Sequence, residues 1–362
     1  MIMRIFKDVR MVIAVGARPS PLSLKQVEEV KNMLSAVYGD ERHFEFEIKT
    51  FDTTGDVDKK TPISEVEGTD FFTDTLEKKL RDKEIDMVVH SAKDLSDMVP
   101  AGLLIAAITG SIAPEDVLVS KNDRKLSELP SGAKVGTSSQ RRKEQLKRLR
   151  PDLEAINLRG NIEERLTRLN DGLDAIIIAR AALIRLGLEE KITEILPSDI
   201  FPPHPLQGAL AIQIRYGDSD LLSLFSKLDV RKKILFVCVE NSCRSQIAEA
   251  LVNHFYWQKF FAESAGSKPS GLVNPLAIEV MKDRGVDISG QISKGFTEIR
   301  DREIDYVITM GCGDVCPVYP AKKKLDWKIP DPKNKPLDFF RRVRDDIESK
   351  IRKDLYEDSK GE

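Results

Sequence analysis

The sequence predicts an α/β protein with more than one domain. Three observations lead to this fold class. Apolar runs of strand length alternate with amphipathic stretches of helix length over roughly the first 215 residues. The chain has 362 residues, more than a single core of ordinary size organises. A further strand-loop-helix unit opens at Lys232, where KKILFV precedes CVENSCRS and QIAEALVNHF.

Composition narrows the class of protein. Hydrophobic residues make up 41% and charged residues 32% of the chain, as in folded water-soluble proteins. Apolar runs are far shorter than a membrane span, and residues 1–10 lack the apolar stretch of a signal peptide. A net charge of -2 with interspersed acids and bases predicts no nucleic-acid partner and only local anion sites. We therefore expect a cytoplasmic protein with no membrane partner.

The first sheet is predicted from its elements in chain order. Met11 to Val15 is predicted as a strand, Ser23 to Val37 as a helix and Ile85 to Val89 as a second buried strand. Functional groups in open α/β sheets gather at the carboxyl ends of strands, so the polar loop after the second strand is a candidate site. That loop carries His90, Ser91, Lys93 and Asp94.

A second sheet is predicted to begin near Thr109. Its strands are Lys134 to Gly136 and Asp174 to Ala179, with the turn TSSQRR and a helix between them. After a proline-rich stretch, Ala209 to Arg215 forms one more strand, whose natural partner is the first sheet. The predicted domains are therefore 1–107 with 205–230, then 108–204, then 231–362. Hinges are expected near 107–109 and 203–206, and a charged helical join over 217–233.

All the cysteines of the chain lie in its last third. In a reducing compartment this clustering indicates thiol chemistry or metal binding rather than structural disulfides. The unit that contains them continues with a strand at Tyr306 to Met310 and a last helix over Leu337 to Leu355. The four cysteines are Cys238, Cys243, Cys312 and Cys316.

The loop after the KKILFV strand has the pattern of an anion-binding cradle. Cys238 and Arg244 are separated by five residues, and the N–H groups of 239–243 can converge on a tetrahedral oxyanion. Asn241 and Ser242 supply the turn inside the loop, and Arg244 supplies a fork for two oxygens. The same field favours the Cys238 thiolate, and Ser245 can donate a hydrogen bond to it. The alternative is an inert buried cysteine with a surface arginine.

Residues 232–352 resemble the low-molecular-weight tyrosine phosphatase fold, in the version of thioredoxin-coupled arsenate reductases. The resemblance includes FVCVENSCRSQIAEAL, SAGSKPSGLVNPLAIEVMKDRGVDISGQISK, IDYVITMGCGDVCPVYP and IPDPKNKPLDFFRRVRDDI. It implies a four-stranded parallel sheet, a small oxyanion substrate and thioredoxin or a similar dithiol donor, without a cofactor. Cys238 would be the nucleophile, Arg244 the oxyanion clamp and Asp331 the general acid, with Asn241, Ser242 and Ser245 in the substrate-binding loop.

Two features favour the reductase over the alternative, a phosphatase. Phosphatases of this fold usually have glycine in place of Glu240 and aromatic residues in place of Lys333-Asn334, so an aryl ring would lack stacking partners. Cys312 and Cys316 match resolving thiols, which pass the oxidation outward by exchange. Half of a zinc site and an inert core pair remain alternatives for these two cysteines, although no metal is expected. Cys243 is a spare or protective thiol, and no essential role is expected for it.

Residues 11–215 resemble porphobilinogen deaminase, also called hydroxymethylbilane synthase, an enzyme of porphyrin biosynthesis. The resemblance includes IAVGARPSPLSLKQ, HSAKDL, VGTSSQRR, LRGNIEERLTRL and PLQGALAIQI. It implies two periplasmic-binding-protein-like lobes, a porphobilinogen-like substrate and Asp94 as the carboxylate that stabilises pyrrole cations, with Lys93 beside it. The residues implied to bind acetate and propionate side chains are Arg18, Ser20, Ser139, Arg141, Arg142, Arg159 and Arg165.

The same region departs from that family in two places. EVEGTDFF, with Glu65, Thr69 and Asp70, replaces a basic glycine-rich segment. The family's third domain, whose cysteine anchors the dipyrromethane cofactor, is absent, and no cysteine precedes Cys238. Two hypotheses follow. The region either polymerises porphobilinogen, with a separate polypeptide supplying the missing domain or a cofactor held non-covalently, or it is a non-catalytic module that binds polycarboxylates or tetrapyrroles.

Overall fold

The structure, a computed structural model, describes residues 10–39, 43–58, 71–299, 303–311 and 319–357. It divides into two compact units. The first unit comprises residues 1–97, 107–214 and 227–229, and the second comprises residues 98–106, 215–226 and 230–362. Two short segments of the N-terminal region thus belong to the C-terminal unit.

The strands of the described chain are numbered in chain order. They are β1 Arg10–Ala17, β2 His43–Thr50, β3 Met87–Ser91, β4 Leu103–Ile108, β5 Asp116–Ser120, β6 Lys134–Gly136, β7 Glu154–Ile156, β8 Ala175–Ala179, β9 Glu194–Ile195, β10 Leu210–Arg215, β11 Lys232–Cys238, β12 Phe260–Gly266, β13 Tyr306–Thr309 and β14 Lys323–Asp326.

The helices are numbered likewise. They are α1 Pro21–Tyr38, α2 Thr54–Val57, α3 Asp74–Arg81, α4 Gln140–Leu149, α5 Ile162–Thr167, α6 Arg180–Leu186, α7 Ser219–Phe225, α8 Arg244–Phe255, α9 Pro275–Lys282 and α10 Leu337–Ile351. Short 3-10 turns occur between them, among them Ala92–Asp94 and Ser226–Leu228.

The first sheet has five strands in the order β2-β1-β3-β10-β4. β1 is parallel to β2 and β3, and β10 is antiparallel to β3, with Leu210 opposite Ser91. The predicted return of the chain to this sheet is confirmed, and it makes the sheet mixed. The predicted loop position of His90 and Ser91 is wrong. Pairing with β10 extends β3 through both residues, and His90 is buried.

The second sheet of the first unit also has five strands, in the order β7-β6-β8-β5-β9. β6 is parallel to β7 and β8, whereas β5 is antiparallel to β8 and β9. The sheet is apolar on both faces because helices and turns cover both, and β8 is buried throughout. Both sheets of this unit are therefore mixed rather than parallel.

The second unit contains the predicted four-stranded parallel sheet, in the order β12-β11-β13-β14. On one face of this sheet, α8, α9 and α10 share one apolar core with β11. α10 contributes Phe340, Val343, Ile347 and Ile351, whose helical spacing places them on one stripe. The predicted helical join is present as α7 and the turn after it.

Within the described residues, the helices are all too short or too polar to span a membrane. The same part of the chain contains no cluster of three or more histidine, cysteine or acidic side chains able to hold a metal ion.

Candidate functional site

The cysteine loop of the second unit lies between the end of β11 and the start of α8. Cys238 is the last residue of β11 and is only 3% exposed, and Arg244 is the first residue of α8. Asn241 has a φ of 48°, the left-handed conformation that turns the loop back. Gly266 ends β12 beside the loop, where an added Cβ would lie 2.7 Å from the Val239 oxygen. A glycine there lets the loop pack against the sheet.

A hydrogen-bond network orients the hydroxyl of Ser245 toward the sulfur. Asn241 Oδ1 accepts from the backbone N–H of Lys294 at 2.7 Å and from Gln246 Nε2 at 2.9 Å. These bonds fix which end of the amide is nitrogen, and Asn241 Nδ2 donates to Ser245 Oγ at 2.9 Å. Ser245 Oγ lies 3.0 Å from Cys238 Sγ. Since the serine oxygen already accepts from Asn241, its proton is available to the sulfur, which stabilises a thiolate.

Arg244 is held by carbonyl groups and by the candidate acid. Its Nη1 donates to the Met310 oxygen at 2.8 Å and to the Ile329 oxygen at 3.1 Å. Its Nη2 donates to Asp331 Oδ2 at 3.0 Å. Arg244 is buried, whereas the side chain of Asp331 is 56% exposed. The structure therefore brings the predicted nucleophile loop, clamp and acid together.

An ion pair joins the cysteine loop to the segment that contains Asp331. Lys333 Nζ contacts Glu240 Oε1, and the Lys333 N–H donates to Asp331 Oδ1 at 3.1 Å. The Glu240 carboxylate raises the pKa of Lys333 above its usual value. On the other side, Ser293 Oγ donates to the backbone oxygen of Glu240 at 2.8 Å. Two of the residues that depart from the phosphatase pattern, Glu240 and Lys333, thus contact each other.

The other cysteines differ in their surroundings. Burial raises the pKa of Cys243 to about 11, so this thiol stays protonated at neutral pH. Ser242 Oγ lies 3.6 Å from its sulfur. Cys312 and Cys316 lie outside the described residues, in the gap between 311 and 319.

The candidate site of the first unit starts at the end of β3. Asp94 is exposed at the end of a 3-10 turn, and Lys93 Nζ donates to Gln207 Oε1 at 2.9 Å. Burial, reinforced by the charge of Arg142, lowers the pKa of Lys93 to about 8. The charge of Asp94 acts in the opposite direction and raises the pKa of Lys93. The predicted carboxylate and lysine are therefore electrostatically coupled.

Arg141 and Arg142 share one buried carboxylate. Arg142 Nη2 lies 2.6 Å from Asp116 Oδ1, and Arg141 Nη2 lies 2.6 Å from Asp116 Oδ2. Burial raises the pKa of Asp116, but the charge and hydrogen bonds of the arginines outweigh burial and hold that pKa below its usual value. Gln207 Nε2 also donates to Asp116 Oδ1, at 2.9 Å. In this structure both guanidinium groups have an internal partner.

Three further arginines surround the same site. Arg18 pairs with Asp56 and lies over the Phe72 ring at 5.0 Å from its centre. Arg159 Nη2 donates to the Asp58 backbone oxygen at 2.6 Å, while its Nη1 is buried without a hydrogen-bond partner in the described chain. Burial, reinforced by the charge of Arg142, lowers the pKa of Arg165 to about 10. Cations that destabilise one another in this way are suited to an anionic ligand.

The two predicted serines are helix N-caps. Ser20 Oγ accepts from the Ser23 N–H at 3.3 Å, and Ser139 precedes α4. The residues that sequence reasoning missed include Gln207 and Asp116 here, and Ser264 and Glu249 in the second unit. Their contacts depend on strand pairing between distant segments, for which no local motif gives a signal.

The dipyrromethane group implied by the resemblance to porphobilinogen deaminase fits these residues only in part. The orphaned Arg159 Nη1 and the surrounding cations suit its carboxylates. A thioether anchor does not fit, because the first cysteine of the chain is Cys238, which is committed to the loop of the second unit. We therefore derive no chemical step through that group.

Comparisons with known proteins match both regions. A family model described as porphobilinogen deaminase, dipyrromethane cofactor binding domain, matches residues 13–223. A model described as low molecular weight phosphotyrosine protein phosphatase matches residues 233–360. The porphobilinogen deaminase of Syntrophomonas wolfei subsp. wolfei is 41% identical over 224 residues, which cover 62% of this chain and 72% of that protein.

Two solved structures are similar to the second unit. An arsenate reductase in a phosphate-binding state is 34% identical, over 35% of this chain and 98% of that chain, with a TM-score of 0.32. A thioredoxin-dependent arsenate reductase of Corynebacterium glutamicum is 37% identical, over 40% of this chain and 72% of that chain, with a TM-score of 0.33.

The chain is thus a fusion of two enzyme-family regions. It belongs to the porphobilinogen deaminase family through residues 13–223, and its residues 233–360 match the family model of low molecular weight phosphotyrosine protein phosphatases.

Proposed function

We propose that the C-terminal domain reduces arsenate to arsenite with Cys238 as the nucleophile. The main support is the Ser245 hydroxyl, which lies 3.0 Å from Cys238 Sγ at the start of a helix whose first residue is Arg244. A serine proton and a helix N-terminus both favour the thiolate, and the thiolate is the reactive form.

In the first step the Cys238 thiolate attacks arsenic, so a sulfur–arsenic bond forms and an arsenic–oxygen bond breaks. The leaving oxygen takes a proton from Asp331 and departs as water. An oxyanion in the loop competes with Asp331 for Arg244 Nη2, which releases the carboxyl group to face that oxygen.

In the second step a thiolate of Cys312 or Cys316 attacks Cys238 Sγ. A disulfide forms, the sulfur–arsenic bond breaks, and its electron pair stays on arsenic as arsenite. Two thiols are oxidised and arsenic is reduced by two electrons. The other thiol of this pair then attacks the first, so the disulfide passes to Cys312–Cys316 and Cys238 leaves as a thiolate. Thioredoxin or a similar dithiol protein restores both thiols by exchange.

The Glu240–Lys333 pair supports a reductase over a phosphatase. Long charged side chains stand where an aryl phosphate needs aromatic neighbours, and they contact each other across the loop. Arsenate, a small tetrahedral anion, needs no such neighbours. A phosphatase acting on small or protein phosphates remains the second candidate, because the matching family model is that of phosphatases.

Oxidation of reduced thioredoxin, measured with and without arsenate, separates these candidates. Wild type is expected to oxidise thioredoxin only with arsenate, and Cys312→Ser and Cys316→Ser to lose that turnover while retaining hydrolysis of p-nitrophenyl phosphate. Hydrolysis of the phosphate ester without any arsenate-dependent oxidation would establish the phosphatase instead.

For the N-terminal region we propose a hydroxymethylbilane synthase-like activity on porphobilinogen. Asp94 is exposed beside Lys93 and acts electrostatically on Arg165, so one anion stands among several cations. The cations suit the substrate carboxylates, and the anion suits the pyrrole cation that forms when ammonia leaves. We propose that a separate polypeptide supplies the third domain that the resemblance to porphobilinogen deaminase implies.

The Ehrlich colour reaction and porphobilinogen consumption test this second activity. Consumption that is lost in Asp94→Asn supports a synthase. Binding of porphobilinogen without consumption, with no bound dipyrrole, would identify a polycarboxylate-binding module, the hypothesis that the absence of a cysteine before Cys238 favours.

A further inference from the structure

Two segments of the deaminase-family region are built into the second unit. Residues 98–106 and part of 215–226 fall within the match to the deaminase model, yet they cluster with the phosphatase fold. Arg231 connects the first of these segments to the rest of the second unit. Its Nη2 donates to the Ile105 oxygen at 2.8 Å, and its Nη1 donates to the Trp257 oxygen at 3.0 Å. The Val99 N–H donates to the His254 oxygen at the end of α8, at 3.4 Å.

Tyr216 contacts both the first of these segments and a buried acid, Glu249. Its N–H donates to the Gly102 oxygen at 2.9 Å, which fixes the backbone of one segment against the other. Its hydroxyl donates to Glu249 Oε1 at 3.4 Å. Glu249 lies on α8 and is only 6% exposed. A buried carboxylate is costly unless donors surround it, so this tyrosine contributes to its placement.

From Glu249 the hydrogen bonds continue to the loop. Glu249 Oε2 accepts from Ser264 Oγ at 2.6 Å, and Ser264 Oγ accepts from Asn241 Nδ2 at 2.8 Å. The direction follows from the Asn241 end, because an amide nitrogen only donates, so the Ser264 oxygen accepts there and its proton is left for the Glu249 carboxyl group. The same Asn241 nitrogen donates to Ser245, whose hydroxyl reaches Cys238. The network is therefore unbroken from Tyr216 to the sulfur.

We propose that Tyr216 is a positioning residue for the Cys238 nucleophile, so that the deaminase-family region completes the support of the second active site. The inference rests on the proposed role of Cys238. Tyr216 acts by holding Glu249, which orients Ser264, which in turn holds the Asn241 amide. Removing its hydroxyl leaves Glu249 Oε1 without a donor within the described chain and lets the carboxylate rotate.

The test is the alkylation of Cys238 by iodoacetamide in the full chain, followed by mass spectrometry of the Cys238 peptide. Since the Tyr216–Glu249 contact is long, Tyr216→Phe is expected to slow the reaction at neutral pH by roughly 2- to 5-fold. The rate at high pH should be unchanged, so the midpoint of the pH profile moves up. This substitution leaves in place the charged and titratable groups around the Cys238 loop, which are Arg244, Asp331, Glu240, Lys333 and Cys243.

Tyr256→Phe is the matched control. Tyr256 lies just beyond the end of α8 and packs edge-on against Tyr356, outside the network. It is expected to leave the rate and the midpoint as in wild type. Glu249→Gln keeps the shape of the acid but removes one of its two acceptor oxygens, so the midpoint is expected to shift in the same direction as in Tyr216→Phe. An unshifted midpoint would argue against the network.

A double-mutant cycle with Ser264→Ala shows whether Tyr216 affects Cys238 through the hydrogen-bond network or independently of it. If Tyr216 acts through the network, its substitution has no further effect once Ser264 is alanine. Additive effects, or a Tyr216→Phe profile equal to wild type, would overturn the inference. A wild-type Cys238 that reacts like an ordinary thiol, unprotected by inorganic phosphate, would instead contradict the proposed function itself.

Discussion

At the scale of single residues, two cysteines of one loop have opposite surroundings. Cys238 receives a serine hydroxyl at 3.0 Å, whereas burial raises the pKa of Cys243 to about 11. They are separated by only four residues in sequence. Sequence reasoning could name the nucleophile from the loop pattern, but the protonated state of Cys243 follows from packing, which no spacing reveals.

The first prediction concerns the selectivity of alkylation. At pH 7.5 iodoacetamide should modify Cys238 and leave Cys243 unmodified, because a thiol with a pKa of about 11 is almost wholly protonated there. Inorganic phosphate should protect Cys238. Peptide mapping by mass spectrometry measures both, and equal modification of the two cysteines would refute the assignment.

The second prediction concerns Lys93. Its pKa of about 8 means that it is a cation below that pH and loses its charge as pH rises. Porphobilinogen, a carboxylate ligand, should therefore bind about 10-fold more weakly at pH 9 than at pH 7. Calorimetric titration measures the affinity. Lys93→Arg stays charged, so its affinity should be flat over this range, and a wild-type affinity equally flat would argue against a role for Lys93.

At the scale of elements, the parallel pairing of β11 with β12 determines which residues lie beside the Cys238 loop. Cys238 lies opposite Gly266 in this register, which brings the end of β12 and Ser264 beside the loop. The strand-loop-helix motif around Cys238 could be predicted from sequence because its parts are adjacent. Ser264 and Glu249 could not, because their contacts arise only once the strands pair.

The third prediction follows from Gly266. In Gly266→Ala the methyl group would lie 2.7 Å from the Val239 oxygen and 2.9 Å from the Asn241 nitrogen. Overpacking of this kind costs about 1–3 kcal/mol of stability and displaces the loop. We expect a lower unfolding midpoint in denaturant and loss of phosphate protection of Cys238.

Gly290→Ala is the control for this change. The nearest atom to its added Cβ is in the Tyr216 ring at 3.9 Å, an ordinary contact. Stability and protection should match wild type. A Gly266→Ala protein that retained both would show that the close approach of β12 is not needed.

At the scale of the whole molecule, the α/β class, the four-stranded parallel sheet and the two family regions could be predicted from sequence. The mixed character of the first two sheets could not be predicted, because a buried strand has the same apolar pattern whether it pairs in parallel or antiparallel. The extension of β3 through His90 could not be predicted for a similar reason, since the partner strand β10 begins much later in the chain, at Leu210. Nor does local sequence show that residues 98–106 and 215–226 cluster with the second unit.

The fourth prediction tests that clustering. A fragment of residues 231–362 lacks both segments, so Arg231 loses its Ile105 partner and α8 loses the cover of Val99 and Tyr216. Amide hydrogen exchange in α8 should be faster in the fragment than in the full chain. Identical protection in the two proteins would mean that the segments contribute nothing to the second unit.

The proposed transfer of electrons from the Cys238 thiol to arsenate can be measured in a single turnover. The fully reduced chain is mixed with arsenate without any donor, and mass spectrometry then follows the disulfide formed among Cys238, Cys312 and Cys316 alongside released arsenite. One such disulfide and one arsenite per chain are expected, and neither in Cys238→Ser. An unchanged set of free thiols after exposure to arsenate would contradict it.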